Sequence, residues 1–199
     1  MSTGLTACGS SGSKVSVDNV QKAADAVVAA PTTPCPAGFD LDAALKKAGV
    51  TATAKPGSAD DAAALAMSAT NALQGSPLKT SGTSMITCVY TLSTGGTVVA
   101  RLTGAHTGKA ITVLKPLLHA DSDASTSEVD TFVAQKFSTG KPALTPGGKA
   151  AVVELDATGG DVVLDVTSYS TDKGDEAKNP ITGEPLRKLA EALSKQVKI

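Results

Sequence analysis

The sequence has few of the residues that binding to nucleic acids, sugars or a membrane interior requires. It contains no tryptophan and only three phenylalanines and two tyrosines among 199 residues, so aromatic platforms for stacking bases or sugar rings are not expected. The net charge is -1, and a chain without a basic excess lacks the electrostatic footprint of a nucleic-acid-binding protein. No apolar run reaches the roughly 18 residues that a membrane-spanning helix needs. We therefore expect no nucleic-acid partner and no membrane-spanning helix.

Signals of catalysis are equally scarce. His106 and His119 are the only histidines, and each lies beside a loop-forming sequence, so we expect both to be exposed. Ser138–Lys141 has the spacing of an SxxK nucleophile motif but follows a predicted helix instead of beginning one. Gly104–Lys109 is one residue short of a phosphate-binding loop. Asp121–Ser125 begins like a calcium loop but lacks its later glycine and glutamate, which favours a polar loop ending in a helix cap. We expect no enzyme, cofactor or metal site, with a hydrolase as the weakest alternative.

The beginning of the chain carries the most specific local motif. Leu5-Thr6-Ala7-Cys8, followed by a Gly/Ser-rich stretch, resembles the bacterial lipobox, in which the cysteine is diacylated and becomes the first residue after cleavage. The charged and apolar regions that normally precede a lipobox do not appear in the seven residues before Cys8. A chance match in a flexible N-terminus is the alternative. The resemblance implies a lipid anchor on Cys8 and an extracytoplasmic protein held at the outer face of the cell membrane.

The segment after the lipobox is interpreted as a spacer. Asp18–Ala30 has helical propensity, but Pro31 and Pro34 stop the pattern, so we expect a tether with only transient helix. The predicted organisation is a lipobox and flexible tether over residues 1–34, followed by a single globular domain over residues 35–199.

Two cysteines remain once Cys8 is assigned to the lipid. In an exported protein, Cys35 and Cys88 are most simply a disulfide, while two free buried thiols are the alternative in a cytosolic one. Cys35 lies between two prolines at the start of the predicted domain, and Cys88 lies in a predicted strand in line with Ile86 and Tyr90. No Cys/His spacing supplies the four ligands of a zinc site.

An internal repeat sets the predicted architecture. Residues 89–103 and 153–167 share the pattern V-x4-T-G-G-x-V-V-x2-[LV]-T at an offset of 64, and each is typical of a β-hairpin with a Gly-Gly turn. In both, alternate apolar residues face the core, while Arg101 and Asp165 face outward. The same offset superposes two predicted helices, 61–73 and 125–137. Two hairpins that arose independently in a Thr/Gly/Val-rich chain are the alternative.

Other elements complete the predicted fold. A short helix is expected over residues 40–48, ending at Gly49, and a final helix over 184–197. The apolar stretch 111–118 is interpreted as a strand broken at Pro116. The fold class is therefore α+β: a curved antiparallel sheet with helices on one face, built from internally duplicated helix-strand-strand units.

Four acidic residues lie on the outward side of the second hairpin: Glu154, Asp156, Asp161 and Asp165. They are candidates for a weak cation site or for a surface that meets a basic partner. A solvated sheet face is the simpler interpretation, because antiparallel sheets commonly have one side in water.

Two cysteine motifs, Cys35-Pro-Ala-Gly-Phe39 and Cys88-Val-Tyr90, resemble those of small actinobacterial lipoproteins of unknown function. That group is similar to the extracellular sensor domain of the actinobacterial kinase PknH. The resemblance implies a non-catalytic, membrane-anchored module that senses a ligand or binds an unidentified protein. Actinobacterial lipid carriers related to LprG are similar in size and in cellular location but lack a matching cysteine pair. A carrier that holds a small apolar ligand or lipid between sheet and helices is the second alternative, and it needs a cavity on the order of several hundred Å³.

Overall fold

The computed structural model describes residues 15–169 and 181–199. Seven helices lie within these residues: α1 (Val17–Ala29), α2 (Leu41–Ala48), α3 (Ala59–Leu65), α4 (Pro77–Ser81), α5 (Ala110–Asp121), α6 (Thr126–Ala134) and α7 (Gly183–Ser194). The strands of the same residues are β1 (Val15–Ser16), β2 (Ala54–Pro56), β3 (Thr83–Leu92), β4 (Thr97–Ala105), β5 (Ala143–Leu144), β6 (Ala150–Glu154), β7 (Ala157–Thr158) and β8 (Asp161–Tyr169).

Six strands form an open antiparallel sheet in the order β2-β3-β4-β8-β6-β5. The predicted α+β class and antiparallel sheet are confirmed. A separate two-stranded parallel ribbon joins β1 to β7. The β3–β4 hairpin turns at Gly95 and Gly96, which have φ values of 80° and 98°. Both angles lie in the left-handed region, where a residue with a Cβ atom would be strained.

The strand order is symmetric about the β4–β8 pair. In an antiparallel pair, a local two-fold axis passes between opposite residues. Arg101 lies opposite Asp165 in the β4–β8 register, and these two residues are 64 positions apart. Equivalent positions of the two repeats therefore meet at the centre of the sheet.

Helices cover both faces of the sheet, so the prediction of helices on one face is wrong. One core contains the even-numbered residues of β3, β4 and β8 together with α1, α2 and α7. A second core contains odd-numbered residues of the same strands, such as Met85 and Val163, packed against α5 and α6. The second face is buried because enough of its residues are apolar to pack against two helices. Arg101 and Asp165 lie on the same face, and their charges led to the prediction that this face is exposed to solvent.

The stretch 111–118 is helical and not a strand. Ala110, Ile111, Leu114 and Leu118 are fully or almost fully buried along one side of α5, with the spacing of an amphipathic helix. Pro116 lies inside the helix on its exposed side. It removes one backbone hydrogen bond, and the apolar face still holds the helix against the sheet.

The helix predicted over residues 61–73 is shorter. α3 begins with a capping box between Ser58 and Asp61 and ends at Leu65. Beyond it, the backbone of Met67 pairs with that of Met85 on β3, with N–O distances of 2.9 and 2.7 Å. Leu73, the last residue of the predicted helix, is 83% exposed. Pairing of Met67 with the edge of β3 ends the helix, although the sequence beyond Leu65 has helical propensity.

Other predicted helices agree better with the structure. α6 begins at the predicted Ser125 cap, where Ser125 and Glu128 form a capping box, although the helix ends at Ala134. α2 ends at Gly49, which has a φ of 76°. α7 confirms the predicted final helix, although it ends at Ser194, and it buries Leu186, Leu189 and Leu193.

Helix α1 is part of the folded unit, which corrects the interpretation of Asp18–Ala30 as a tether with transient helix. Val17, Val20 and Ala24 are fully buried, and Val27 is buried. Gly104 of β4 permits this close approach, since a Cβ atom there would lie 3.3 Å from Cβ of Val20. Cys8 lies outside the described residues.

Two polar contacts fix the far end of α1. The carboxylate of Asp25 accepts hydrogen bonds from Ser68 and from Thr70, the latter at 3.1 Å.

Across residues 15–169 and 181–199, none of the helices combines the length and apolarity needed to traverse a bilayer.

Candidate functional site

The Cys35–Cys88 disulfide is present, with an S–S distance of 2.09 Å and a Cα–Cα distance of 4.9 Å. Cys88 is fully buried on β3, in line with Ile86 and Tyr90 as predicted. Cys35 is partly exposed in the loop between α1 and α2. The bond therefore ties this loop to the core face of the sheet.

A groove of about 420 Å³ lies beside the disulfide and is open to solvent. It is formed where the start of α2 faces β2 and β3. Its lining includes Cys35, Phe39, Asp40, Asp42, Pro56 and Tyr90. Pro56 lies opposite Tyr90 in the β2–β3 register, so neighbouring strands place both residues at the groove.

Two carboxylates border this groove, and each has a structural role for one oxygen atom. Asp40 is the N-cap of α2, where its Oδ1 accepts a hydrogen bond of 2.9 Å from the backbone N–H of Ala43. Oδ1 of Asp42 accepts one of 2.7 Å from the N–H of Ala54 on β2. Both side chains belong to exposed residues. Within the described residues, neither carboxylate has an ion-pair partner.

Tyr90 supplies the buried wall of the groove. The residue is 4% exposed, yet its hydroxyl group has no hydrogen-bond partner among the residues that the structure describes. Burial raises the pKa of Tyr90 to about 12, and the negative charge of Asp40 adds to the effect. The groove thus combines two aromatic side chains, two carboxylates and one unpaired hydroxyl.

A second polar group is buried under α5 on the other face of the sheet. One guanidinium nitrogen of Arg101 lies 2.6 Å from Oδ2 of Asp121 and 2.5 Å from Oδ2 of Asp165. The other terminal nitrogen donates to the hydroxyl of Tyr169 at 3.1 Å, and this hydroxyl donates to Asp121. The side chain of Asp165 is fully buried. This cluster was not predicted from the sequence, although opposite charges at equivalent positions of the repeat were a signal of it.

The pKa shifts in this cluster have two causes: the groups are buried, and two carboxylates share one guanidinium group. Burial raises the pKa of Asp165 to about 6, although Arg101 opposes the shift. Burial lowers the pKa of Arg101, but the charges of Asp165 and Asp121 outweigh it and the net shift is upward. Burial, followed by the hydrogen bond to Asp121, raises the pKa of Tyr169. One cation thus faces two carboxylates in a largely buried space, and we interpret the cluster as structural.

The four acids predicted on one surface have separate roles. Asp165 is not solvated but belongs to the buried cluster. Asp161 accepts a hydrogen bond of 2.7 Å from the N–H of Ala110 and so caps α5. Glu154 contacts the hydroxyl of Thr139 at 3.4 Å, and Asp156 is exposed before β7. Of the residues described, no three His, Cys, Asp or Glu side chains are grouped to hold a metal ion.

The two histidines are exposed, as predicted. Nε2 of His106 lies 3.5 Å from Oδ1 of Asp18, and its Nδ1 lies 3.2 Å from the carbonyl oxygen of Gly159. His119 contacts the hydroxyl of Thr126 at 2.8 Å. The His106–Asp18 pair is on the surface, where 34% and 70% of the two side chains are exposed.

The three segments that resemble catalytic or ion-binding loops form a turn, part of a strand and a helix cap. Ser138–Lys141 forms a turn closed by a 2.9 Å hydrogen bond between its terminal backbone groups. Gly104 lies in β4 beneath α1. In the Asp121–Ser125 segment, Ser125 caps α6, as the interpretation of a polar loop ending in a cap predicted.

Two more grooves are open to solvent. One, of about 480 Å³, lies beside the loop after α2 and shares Asp42 with the groove at the disulfide. The other, of about 610 Å³, lies between α6 and β5 and includes Glu128, Phe132 and Leu144. Its lining has a single acidic residue, whereas the groove at the disulfide has two.

The fold and the grooves describe a disulfide-containing α+β domain with helices on both faces of an open sheet. Comparison of the chain with protein-family models, with curated proteins and with solved structures finds no match in any of the three.

Proposed function

We propose that this protein is a non-catalytic, membrane-anchored extracytoplasmic module that senses a ligand or binds a protein partner. The Cys35–Cys88 disulfide is the observation that carries the proposal. Disulfides persist in oxidising compartments outside the cytoplasm and are rare inside it. The lipobox-like Leu5-Thr6-Ala7-Cys8 supplies a means of attachment in the same compartment.

The groove beside the disulfide supports a binding role. Its volume of about 420 Å³ falls within the range of small-molecule sites, about 300–1,000 Å³. Binding sites commonly combine an apolar lining with a few polar groups that orient the ligand. Phe39 and Tyr90 supply the apolar part here, and Asp40 and Asp42 supply the charge.

A carrier of an apolar ligand between sheet and helices has less support. The facing positions of the sheet and of α1, α2 and α7 are occupied by packed side chains, including Leu45, Leu102, Leu164 and Leu189, all fully buried. The grooves described above open at the surface. We therefore favour a surface ligand over an internal one.

Metabolic labelling tests the anchor. The protein is expressed from its own gene in a bacterium that processes lipoproteins, with a clickable fatty acid in the medium. We expect label and membrane association for the wild type, and loss of both for Cys8→Ser. The matched control is Cys35→Ser, which keeps Cys8 and is expected to keep the label. An unlabelled wild-type protein found in the cytoplasm would overturn the proposal.

A further inference from the structure

We propose that the groove formed by Phe39, Asp40, Asp42 and Tyr90 binds an organic cation, namely an ammonium or guanidinium group on an apolar stem. The inference rests on the proposed binding role and assigns the chemistry of its ligand. It follows from the charge of the groove, from its aromatic wall and from one hydroxyl group without a partner.

The charge of the groove selects the sign of the ligand. Asp40 and Asp42 each use one carboxylate oxygen to hold α2 or β2 in place, which leaves the second oxygen of each without a partner among the described residues. No Lys or Arg side chain belongs to the lining that the described residues provide. Two carboxylates at one groove favour a cation and repel an anion.

The wall of the groove selects the body of the ligand. Phe39 is half-buried and Tyr90 is almost fully buried, and aromatic rings attract an ammonium or guanidinium group placed over their faces. Pro34 and Pro56 add apolar surface. A simple metal ion would leave this surface without a contact, whereas an alkyl stem covers it.

Tyr90 is the independent indication that a ligand group belongs here. A polar group on an otherwise buried side chain normally has a hydrogen-bond partner, either a protein group or water. Tyr90 is 4% exposed and lines the groove, and its hydroxyl has no protein partner in the part of the chain that the structure describes. Its oxygen can accept a hydrogen bond from an N–H donor that also contacts Asp40.

A free amine and the Lys or Arg side chain of a partner share this chemistry, and the experiment distinguishes the two sources. The oxidised protein, labelled with 15N, is titrated with agmatine, with a short lysine-containing peptide and with an uncharged peptide in which norleucine replaces lysine. Calorimetry gives Kd, and chemical shifts locate the site. We expect amide shifts at residues 39–42, 54, 55 and 90 with agmatine or the lysine peptide, and none with the norleucine peptide. Agmatine alone would indicate a free amine, and the lysine peptide alone would indicate a protein side chain.

Three conservative variants separate binding from folding. Asp40→Asn keeps a good helix cap, Asp42→Asn keeps the oxygen that Ala54 contacts, and Tyr90→Phe removes only the hydroxyl. We expect each to weaken binding about 3- to 10-fold and the double Asn variant to weaken it at least about 10-fold. Higher salt should weaken binding further. Asp130→Asn, on α6 at the opposite face of the sheet, is the control with unchanged Kd.

Three results would overturn the assignment: no binding of either cation at millimolar concentration, shifts confined to another surface, or equal affinity in the double Asn variant. Unchanged melting temperatures of the variants exclude misfolding as the cause of lost binding. Failure here, combined with a fatty-acid label on Cys8, would leave the anchored module intact and remove only the cation. Absence of the label together with cation binding would do the reverse.

Discussion

At the scale of single residues, Arg101 and Asp165 are the most informative pair. They occupy equivalent positions of two repeats and lie opposite each other across the local two-fold axis of the sheet. A buried ion pair contributes little net stability, since desolvation offsets attraction. Removing one partner is costly, however, because the other charge stays buried without compensation. Oδ1 of Asp165 already has no partner among the described residues.

The Arg101 side chain allows a direct test of this asymmetry. Arg101→Met leaves Asp121 and Asp165 together without a cation, and we expect a loss of about 3–5 kcal/mol in the free energy of unfolding at neutral pH. Arg101→Met/Asp165→Leu removes both members of the pair and should be less destabilised than the single variant. Urea unfolding measures both values, and a double variant less stable than the single would contradict the account.

Asp165 gives a pH dependence of stated sign. Burial raises its pKa in the folded protein to about 6, above the value of about 3.9 in an unfolded chain. The folded state therefore retains a proton that the unfolded state has lost. The contribution of Asp165 to the free energy of unfolding is full below about pH 4 and decreases, by on the order of 3 kcal/mol, as the pH rises to about 6.

The measurement compares wild type with Asp165→Asn in urea at several pH values. The difference in free energy of unfolding, wild type minus variant, should fall between about pH 4 and pH 6 and then stay constant. Glu128→Gln is the control of opposite sign, because hydrogen bonds from Ser125 lower the pKa of Glu128. Its contribution is present above the unfolded pKa and is lost as the pH falls. A flat difference for Asp165→Asn would refute its assignment as a buried acid.

At the scale of elements, α1 decides where the folded unit begins. Val20 is fully buried whereas Val28, on the same helix, is 38% exposed. We expect Val20→Asp to lower the free energy of unfolding by about 3 kcal/mol or more, because it buries an unpaired charge. Val28→Asp, the matched control, should change it by less than about 1 kcal/mol. Equal and small effects in both variants, measured by thermal unfolding, would restore the interpretation of a tether.

The disulfide links the loop before α2 to β3 across a sequence separation of 53 residues. Closing a loop of this length stabilises the folded protein by about 4 kcal/mol on the chain-entropy estimate. We therefore expect Cys35→Ser to lower the free energy of unfolding by a few kcal/mol. Reductant should lower the melting temperature of the wild type and leave that of Cys35→Ser unchanged. Identical melting curves for wild type with and without reductant would count against the bond.

At the scale of the whole molecule, the parts that followed from local patterns were predictable. Alternating apolar residues and Gly-Gly turns identified both hairpins, and the Ser125 and Gly49 signals placed ends of α6 and α2. The cysteine pair was predictable because only Cys35 and Cys88 remained once Cys8 had been assigned to the lipid anchor.

The parts that depend on tertiary contact were not predictable in the same way. Pro116 argued for a strand, while burial of Ile111, Leu114 and Leu118 against the sheet makes α5 a helix. The charges of Arg101 and Asp165 favoured the prediction of a solvated face, whereas their pairing offsets the desolvation of both side chains and allows the face to be buried. The groove at the disulfide brings together Asp40 and Tyr90, 50 positions apart, which no local pattern connects.

The most direct test of the proposed exported module is the thiol state of the protein in the cell. Cells are lysed in acid with an alkylating agent, and the mass of the peptides carrying Cys35 and Cys88 is measured before and after reduction. We predict that both cysteines resist alkylation until they are reduced and that the two peptides are linked as one. Free, alkylated Cys35 and Cys88 in the unreduced sample would contradict the disulfide and, with it, the extracytoplasmic role.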